Sequence, residues 1–470
     1  MQDEGLRKGI RLIDAIMLVV GMMIGSGIFI VSSDIARTVN SPALLFAVWG
    51  IVGVMTIIAA LSYGELAAAM PEAGGQYVFL REAYGKVTAF LFGWSFFLVI
   101  ATGIFAAVAM AFAKYVGVLV PWVASNNILF AIGPIVLTSE RLVAMSAIVL
   151  LTYVNCRGLG AGVVVQNVFT FLKTFALIAL IIAGITIGRN AHVVSANFTD
   201  MMAGSSSGMA LIMAMGAAMI GAIFSMDAWS FVCFTAAEVK NPQKNLPRAL
   251  LFGTGLVVVI YLLANVAYMF VLPMLGDPNG VDIMSRGIQY ASSDRVATAV
   301  AETMLGSSGL YVIALAIVIS TFGCVNGTIL TSARVFYAMA RDGLFFKAVS
   351  KIDPVTRVPK RALVYGCIWA CILTMTGTFG DLLDYSMFIT LIFYALTIAG
   401  IFVLRRTRPD MERPYRAWGY PWLQLIYITF ALSVVVILLI KRPNFTVPGL
   451  LIVLSGLPVY FIWRKLETRP

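Results

Sequence analysis

Residues 24–29, IGSGIF, interrupt an apolar stretch with two glycines that flank a serine. The stretch, residues 12–38, is long enough to cross a bilayer core about 30 Å thick. A helix in lipid satisfies its backbone hydrogen bonds internally, because lipid offers no replacement partner. Glycine adopts backbone angles that other residues avoid. The sequence therefore predicts that this helix is unwound at residues 25–27 and that its freed backbone groups bind something else.

The rest of the chain has the composition of a membrane protein. Of its 470 residues, 60% are hydrophobic and 12% are charged, whereas soluble domains are roughly 45–50% apolar. Apolar runs of about 20 residues, the length of a membrane-spanning helix, recur along the sequence. We expect an all-α membrane protein with about 12 transmembrane helices. These spans are predicted near residues 12–38, 43–68, 86–118, 140–157, 161–188, 209–237, 247–273, 308–337, 361–379, 381–404, 420–441 and 446–464.

The net charge of +11 indicates the orientation of the chain rather than a nucleic-acid partner, because the basic residues fall in alternate loops. Cytoplasmic loops carry the excess of Lys and Arg in membrane proteins. With the N-terminus inside, about 24 of the 33 Lys and Arg face the cytoplasm. We therefore expect a multi-pass protein of the cytoplasmic membrane, embedded in the lipid bilayer, with both termini cytoplasmic. No cleavable signal peptide is expected, since no small-residue cleavage site follows the first span.

Several classes of function lack their signature in the sequence. The five cysteines lie in or beside apolar runs without metal-ligand spacing, so we expect buried thiols, no metal site and no cofactor. The single histidine, His192, is expected in a solvated loop. No Walker loop, HExxH or GxSxG motif occurs. The sequence thus argues against an ATP-driven pump and against an enzyme, and it leaves a channel as an alternative to a carrier.

A second interruption, FSMDAWS at residues 224–230, lies in the predicted sixth span. Paired broken helices at corresponding positions are typical of transporters built from inverted repeats, and they mark the binding site. We expect one transmembrane transporter domain over residues 1–470 with a 5+5 inverted repeat. Its predicted parts are residues 12–188 with helices 1–5, residues 209–404 with helices 6–10, and residues 420–464 with helices 11–12.

The first break offers partners for both charged groups of a free amino acid. Freed N–H groups of Gly25, Ser26 and Gly27 lie at the positive end of the following half-helix, which suits a carboxylate. Released carbonyls of Met23 and Ile24 suit an ammonium group. The alternative is that Gly21-x-x-x-Gly25 is a small-residue contact between helices.

The second break contributes Asp227, an acid near the middle of the membrane. Such a residue is a functional candidate because burying its charge is costly. An aspartate beside a helix break is also a good N-cap, and the sequence favours that structural role over proton coupling. Phe224 and Trp229 flank the break and are placed to cover a ligand, although aromatic residues in membrane helices more often serve packing.

Lys173 is the sole basic residue deep within a predicted span. It lies too far from either end of the fifth span for its ammonium to reach the membrane surface. The ammonium is expected to bond the carbonyls of a broken neighbouring helix, in the place of a sodium ion. A lipid-facing lysine is the alternative, which the depth makes unfavourable.

Long motifs resemble a known family. GMMIGSGIF at 21–29 resembles the first-helix signature of the amino acid/polyamine/organocation superfamily, and YGELAAAMPEAGGQYVFLREAYG at 63–85 is similar to its segment between spans 2 and 3. Three further segments resemble the L-type amino acid transporter branch, namely AAEVKNPQKNLPRAL at 236–250, SARVFYAMARDGLFFK at 332–347 and LRRTRPDMERPYRAWGYPW at 404–422. The resemblance covers nearly the whole chain in order.

The resemblance implies a leucine-transporter-like fold that moves amino acids by alternating access. It implies that Ser26 and Gly27 bind the substrate carboxylate, and that Met23 and Phe224 present carbonyls to its amine. Phe224 would also be the aromatic outer gate. Lys173 matches the lysine that stands near a sodium site of related carriers, so sodium independence is implied.

Two departures from the family pattern bear on substrate and partner. Family members commonly have Gly-Gly-Trp-Asn or Asp-Gly-Trp-Asn in span 6, where this chain has Asp227, Ala228, Trp229 and Ser230. The methyl group of Ala228 is expected to narrow the space beside the substrate. The predicted loop at residues 119–139 holds no cysteine, whereas animal members use one there to bind a heavy chain, so we expect no disulfide-linked heavy chain.

The sequence therefore predicts a secondary carrier of small or medium neutral amino acids, because Asp227 is the sole charged residue expected beside the side-chain pocket. Exchange of one amino acid for another is the leading mode, and proton-coupled uptake is the alternative. A cationic amino acid or polyamine carrier would use Asp227 as a counter-charge. From another class, an amino-acid sensor on a transporter scaffold is a further alternative, and the sequence makes no prediction of the oligomeric state.

Overall fold

The computed structural model describes residues 5–132, 135–202, 204, 207–376, 379–441 and 443–467. Helices account for most of these residues, as the sequence predicted. The α-helices are α1 Leu12–Met23, α2 Gly27–Val39, α3 Pro42–Ala69, α4 Gln76–Tyr84, α5 Lys86–Ser95, α6 Ala101–Leu119, α7 Ser139–Cys156, α8 Leu159–Thr186, α9 Ala191–Thr199, α10 Gly208–Ser225, α11 Pro242–Val271, α12 Ile283–Arg286, α13 Val296–Leu305, α14 Ser308–Arg341, α15 Lys360–Thr376, α16 Phe379–Thr407, α17 Trp422–Lys441 and α18 Pro443–Glu467.

Short elements of other kinds join these helices. A π-helical turn links α5 to α6, and the 3-10 helix Trp229–Glu238 follows α10. Strands β1 Ile128–Ile132 and β2 Ile135–Thr138 pair antiparallel within the loop between α6 and α7. The π-helical turn spans Phe96–Ile100, and the remaining elements are the 3-10 helices Ser292–Asp294 and Lys347–Ser350.

The membrane-spanning helices confirm the predicted fold class, an all-α membrane protein. Among the described residues, nine helices are long and apolar enough to cross a membrane, and the bent pair of α1 and α2 makes a tenth. The two further predicted spans coincide with α7, which carries Glu140 and Arg141 in its first turn, and with α15, which has 17 residues. The count of twelve, the inverted repeat and its boundaries therefore stay predictions.

The broken first span lies at the centre of the helix packing. Helix α1 packs against α8, α11 and α14, and α2 packs against α10. Helix α11 also packs along α3, where the rings of Trp49 and Tyr261 meet edge to face with their centroids 5.6 Å apart. The first break is therefore surrounded by helices that can contribute polar side chains to it.

In the predicted orientation, contacts between the two breaks and the cytoplasm close that side of the bundle. Backbone N–H groups of Gly9 and Ile10 donate to the carbonyl of Glu238 at 2.9 and 3.0 Å, and Ile10 pairs with Val239 as an isolated β-bridge. The carboxylate of Glu238 accepts two hydrogen bonds from Arg334 at 2.7 and 2.8 Å, and both side chains are buried. This ion pair joins the end of the sixth span to α14.

Candidate functional site

The first span breaks where the sequence predicted. Helix α1 ends at Met23, α2 begins at Gly27, and the two are bent by 45°. The first N–H groups of α2 have no acceptor in a preceding turn of their own helix. A Cβ atom built on Gly25 would meet nothing within 4 Å. Open space therefore lies beside the break, where freed backbone groups are available.

The sixth span also breaks at the predicted place. Helix α10 ends at Ser225, and the 3-10 helix begins at Trp229. Between them Ala228 adopts the left-handed conformation, with φ of 68° and ψ of 2°. That conformation is uncommon for residues with a Cβ atom. The family's usual glycine at this position would adopt it freely.

The two breaks are in contact. A Cβ atom on Gly27 would come within 2.8 Å of the Cβ and 3.0 Å of the Cα of Ser225, so only glycine allows this approach. The hydroxyl of Tyr261 on α11 lies between the carbonyls of Met23, at 3.0 Å, and Ser225, at 3.2 Å. It thereby joins the carbonyl ends of α1 and α10. Sequence reasoning missed Tyr261, although a hydroxyl in an apolar span is a signal for such a role.

Lys173 lies on α8 with 1% of its surface exposed, so the lipid-facing alternative is wrong. Its Nζ donates to the carbonyls of Gly21, of Ile24 at 2.8 Å and of Ser320 at 3.2 Å. An ammonium group has three N–H donors, and all of them are used here. The ammonium therefore ties the break to α14. Whether it acts as a substitute for sodium stays a prediction.

The carbonyls predicted for a substrate amine are already engaged. Ile24 accepts from Lys173 and, at 2.8 Å, from the hydroxyl of Ser320. Met23 accepts from the N–H of Gly25 at 2.8 Å and from Tyr261. A carbonyl oxygen has two lone pairs, so that of Ile24 is satisfied in this conformation, whereas Met23 shares the single hydroxyl proton of Tyr261 with Ser225. Sequence reasoning did not foresee these donors because they come from distant helices.

The alternative that Gly21 and Gly25 form a small-residue contact between helices is correct for Gly21 but not for Gly25. A Cβ atom on Gly21 would collide with the side chains of Thr170 and Gln166 on α8, so Gly21 serves close packing. Gly25 has open space instead. Only Gly25 is therefore placed to border a ligand.

Asp227 is not an N-cap, which corrects the structural alternative. The N-cap position of the 3-10 helix is Ala228, and no side chain caps that helix. The Oδ1 atom of Asp227 instead accepts a hydrogen bond from the hydroxyl of Tyr394 at 2.7 Å. The same hydroxyl lies 3.0 Å from the Oγ of Ser230. Tyr394 of α16 thus orients the acid, and the sequence alone gave no sign of this partner.

Aromatic rings enclose Asp227. Trp229 is buried and packs edge to face against Tyr63, with ring centroids 4.9 Å apart, and lies 5.2 Å from Tyr394. Phe224 is half-buried, and its carbonyl accepts from the N–H of Asp227 at 3.3 Å. Asp227, Trp229 and Tyr394 also line a cavity with residues of α3, α10 and α17. Trp229 therefore packs against other rings, as the alternative expected, and it also lines the cavity.

Comparison with known proteins extends the similarity beyond the motifs. A profile of the family described as Amino acid permease matches residues 10–463. The chain is 32% identical to the large neutral amino acids transporter small subunit 2 of Homo sapiens over 99% of this chain and 82% of that protein. It is 30% identical to the b(0,+)-type amino acid transporter 1 of Mus musculus over 100% of this chain and 92% of that protein.

These matches run through both breaks and through Lys173, so they include the candidate site. They confirm the prediction of an amino acid transporter that crosses the membrane several times, and proteins of this kind are carriers rather than enzymes. The chain belongs to the amino acid permease family.

Proposed function

We propose that this chain is a sodium-independent exchanger of neutral amino acids in the cytoplasmic membrane, with both termini in the cytoplasm. The observation that carries the proposal is the contact between the two helix breaks, the first of which also holds the buried ammonium of Lys173. Such a meeting supplies polar backbone groups in the middle of an apolar bundle, as in transporters with central sites. The relative named as a large neutral amino acids transporter supports the substrate class.

The substrate backbone is proposed to bind beside Gly25, where the structure has open space. The N–H groups of Ser26 and Gly27 begin α2 and suit the carboxylate. Tyr261 has one proton but reaches two carbonyls, of Met23 and of Ser225, so one of the two is left as an acceptor for the substrate ammonium. Ile24, by contrast, holds Lys173 rather than substrate.

Sodium independence is proposed from the contacts of Lys173. A sodium site in such a carrier is built from unwound backbone carbonyls. Here the carbonyls of Gly21, Ile24 and Ser320 converge on a fixed positive charge instead. The ammonium supplies the charge that a bound sodium ion would supply, so no sodium needs to enter.

Purified protein in liposomes tests the proposal. Liposomes preloaded with unlabelled alanine should take up labelled alanine, serine or leucine, with equal rates in sodium and choline buffers and without a pH gradient. Empty liposomes should show little uptake. Uptake into empty liposomes driven by an inward proton gradient would contradict exchange and favour the proton-coupled alternative. Absence of any flux would favour a sensor, and single-channel currents would favour a channel.

A second candidate, transport of cationic amino acids, is favoured by Asp227. Its carboxylate lines a cavity and accepts a hydrogen bond from Tyr394. A guanidinium or ammonium side chain would pair with it. The relative named as a b(0,+)-type transporter is compatible with this candidate. Asp227→Asn should keep alanine exchange if neutral substrates are native, whereas loss of labelled arginine uptake in that variant would establish the second candidate.

We also propose that the chain works without a disulfide-linked heavy chain, although its relative is named as a small subunit. All five cysteines lie within helices of the described chain, namely Cys156, Cys233, Cys324, Cys367 and Cys371. The loop with β1 and β2 carries none. The purified chain should therefore migrate unchanged without reductant and exchange alanine alone. A higher-mass band that reductant abolishes would contradict this.

A further inference from the structure

A cavity outside the transport site lies in the connection between α11 and α14, residues 272–307. In the proposed orientation this connection faces the outside. The cavity measures about 120 Å³, roughly four times the 30 Å³ that a water molecule occupies in the liquid. Its polar lining consists of Arg286, Ser292, Ser293, Arg295, Thr298 and Glu302.

One helix face forms a wall of the cavity. Arg295, Thr298 and Glu302 are spaced i, i+3 and i+7 along α13 and its first flanking residue, so they share one face. The opposite wall is held by Arg286, whose Nη1 donates to the hydroxyl of Ser292 at 2.8 Å and whose Nε donates to the carbonyl of Gly280 at 2.7 Å. The guanidinium of Arg286 is thus fixed beside the space.

The charges around the cavity are not neutralised by one another. Arg295 lies over the ring of Tyr115, 5.1 Å from its centroid. In the part of the chain that the structure describes, neither the guanidinium of Arg295 nor the carboxylate of Glu302 forms a hydrogen bond or an ion pair. Two guanidinium groups and one carboxylate therefore border a common space. Guanidinium groups bind carboxylates through two parallel N–H donors, and a carboxylate accepts from an ammonium group.

We propose that this cavity is a second binding site for a small amino acid, distinct from the transport site between the breaks. The ligand carboxylate binds Arg286 and Arg295, and its ammonium binds Glu302. The volume limits the ligand to about five to seven non-hydrogen atoms, the size of glycine, alanine or serine.

The position of the cavity couples it to the outer end of α2. Ser293 and Asp294, which follow Ser292, both have positive φ angles, 54° and 61°. Residues other than glycine seldom adopt this conformation unless their surroundings hold them in it. The turn presents Asp294 to Arg37 of α2, with Nη1 and Oδ1 2.5 Å apart. A ligand against Ser292 and Ser293 fixes the turn and so holds α2 in its closed position.

Saturation binding of labelled alanine to the purified protein tests the second site. The wild-type chain should bind two alanine molecules, and Arg295→Gln and Glu302→Gln should each weaken the second binding step by about tenfold or more, the loss of one charge-assisted hydrogen bond. Lys347→Gln, which removes an exposed charge in the 3-10 helix after α14 rather than in this connection, should leave two sites. A single site in the wild type that Arg295→Gln leaves unchanged would overturn the proposal.

Exchange kinetics test the coupling separately. High external alanine should slow exchange by wild-type protein in liposomes, and Arg295→Gln should abolish this inhibition while it keeps the rate at low alanine. Inhibition of the same size in both proteins would show that the cavity does not act on α2. Since the readout is the difference at high alanine, a failure of the second site is distinguishable from loss of transport.

Discussion

At the scale of single residues, three donors organise the carbonyl ends of the broken helices. Lys173 and Ser320 satisfy Ile24, and Tyr261 links Met23 to Ser225. Each donor comes from a different helix, so the geometry of the break depends on α8, α11 and α14 together. Removing one donor leaves a buried acceptor unpaired, which costs more than the hydrogen bond contributes.

Replacement of Lys173 by alanine tests its place in transport. We expect exchange to fall by about tenfold or more, because hydrogen bonds to a charged group contribute about 1.5–3 kcal/mol each. Labelled alanine uptake in preloaded liposomes measures the rate, and sodium in the buffer should partly restore it. Lys114→Ala, at an exposed lysine, is the matched control. A Lys173→Ala variant that exchanges at the wild-type rate would refute the role.

Replacement of Tyr394 by phenylalanine tests how Asp227 is held. The variant keeps the ring that packs on Trp229 but removes the hydroxyl within hydrogen-bond distance of Asp227 and Ser230. We expect a loss of about 1–3 kcal/mol of stability, because the half-buried carboxylate of Asp227 loses the hydroxyl donor of Tyr394. Thermal unfolding in detergent measures it, and the double variant Asp227→Asn with Tyr394→Phe should lose less than the sum of the two single variants.

The sequence identified Lys173 and Asp227 because a charge in an apolar span stands out by itself. It did not identify Tyr261, Ser320 or Tyr394, since hydroxyl side chains are common in membrane helices and only packing decides which of them meets a break. The three-dimensional arrangement is therefore needed to identify the partners of a buried charge, whereas the sequence is enough to identify the charge itself.

At the scale of elements, both breaks were predictable because their causes are local. Glycines around Ser26 weaken α1 and α2, and polar residues interrupt α10. The contact between the breaks was not predictable, since it joins residues nearly 200 positions apart. The sequence alone also did not establish the number of spans. Two of the predicted spans, α7 and α15, are less apolar or shorter than the other spanning helices.

Two glycines of the first break should respond differently to alanine. Gly27→Ala places a methyl group within 2.8 Å of the Cβ of Ser225, whereas Gly25→Ala meets open space. Overpacking of this kind costs about 1–3 kcal/mol. The midpoint of thermal unfolding should therefore fall for Gly27→Ala and stay close to wild type for Gly25→Ala. Equal shifts in the two variants would show that the breaks do not touch.

At the scale of the whole molecule, the two ends of the bundle are closed by unlike contacts. In the proposed orientation, the cytoplasmic closure is the buried pair Arg334–Glu238, with exposed fractions of 1% and 0%. The outer closure is the pair Arg37–Asp294, with exposed fractions of 30% and 50%. Exposed ion pairs contribute about 0–1 kcal/mol, whereas breaking a buried pair costs about 3–5 kcal/mol. The outer side should therefore open more easily.

Single variants at the two pairs test this asymmetry. We expect Arg334→Gln to lower the free energy of unfolding by about 3–5 kcal/mol and Arg37→Gln by about 1 kcal/mol or less, measured by denaturation in detergent. The double variant Arg334→Met with Glu238→Leu should recover part of the loss, because it leaves no unpaired buried charge. Similar losses for Arg334→Gln and Arg37→Gln would contradict the asymmetry.

The β-bridge between Ile10 and Val239 has a practical consequence. It ties the segment before α1 to the end of the sixth span, so opening the cytoplasmic side has to release that segment. An antibody fragment whose epitope includes the side chain of Ile10, which is fully buried here, would therefore bind only to molecules that are open inwards. Such a fragment would count the inward-open population directly on unlabelled protein, and its binding would fall when an inhibitor holds the carrier open to the other side.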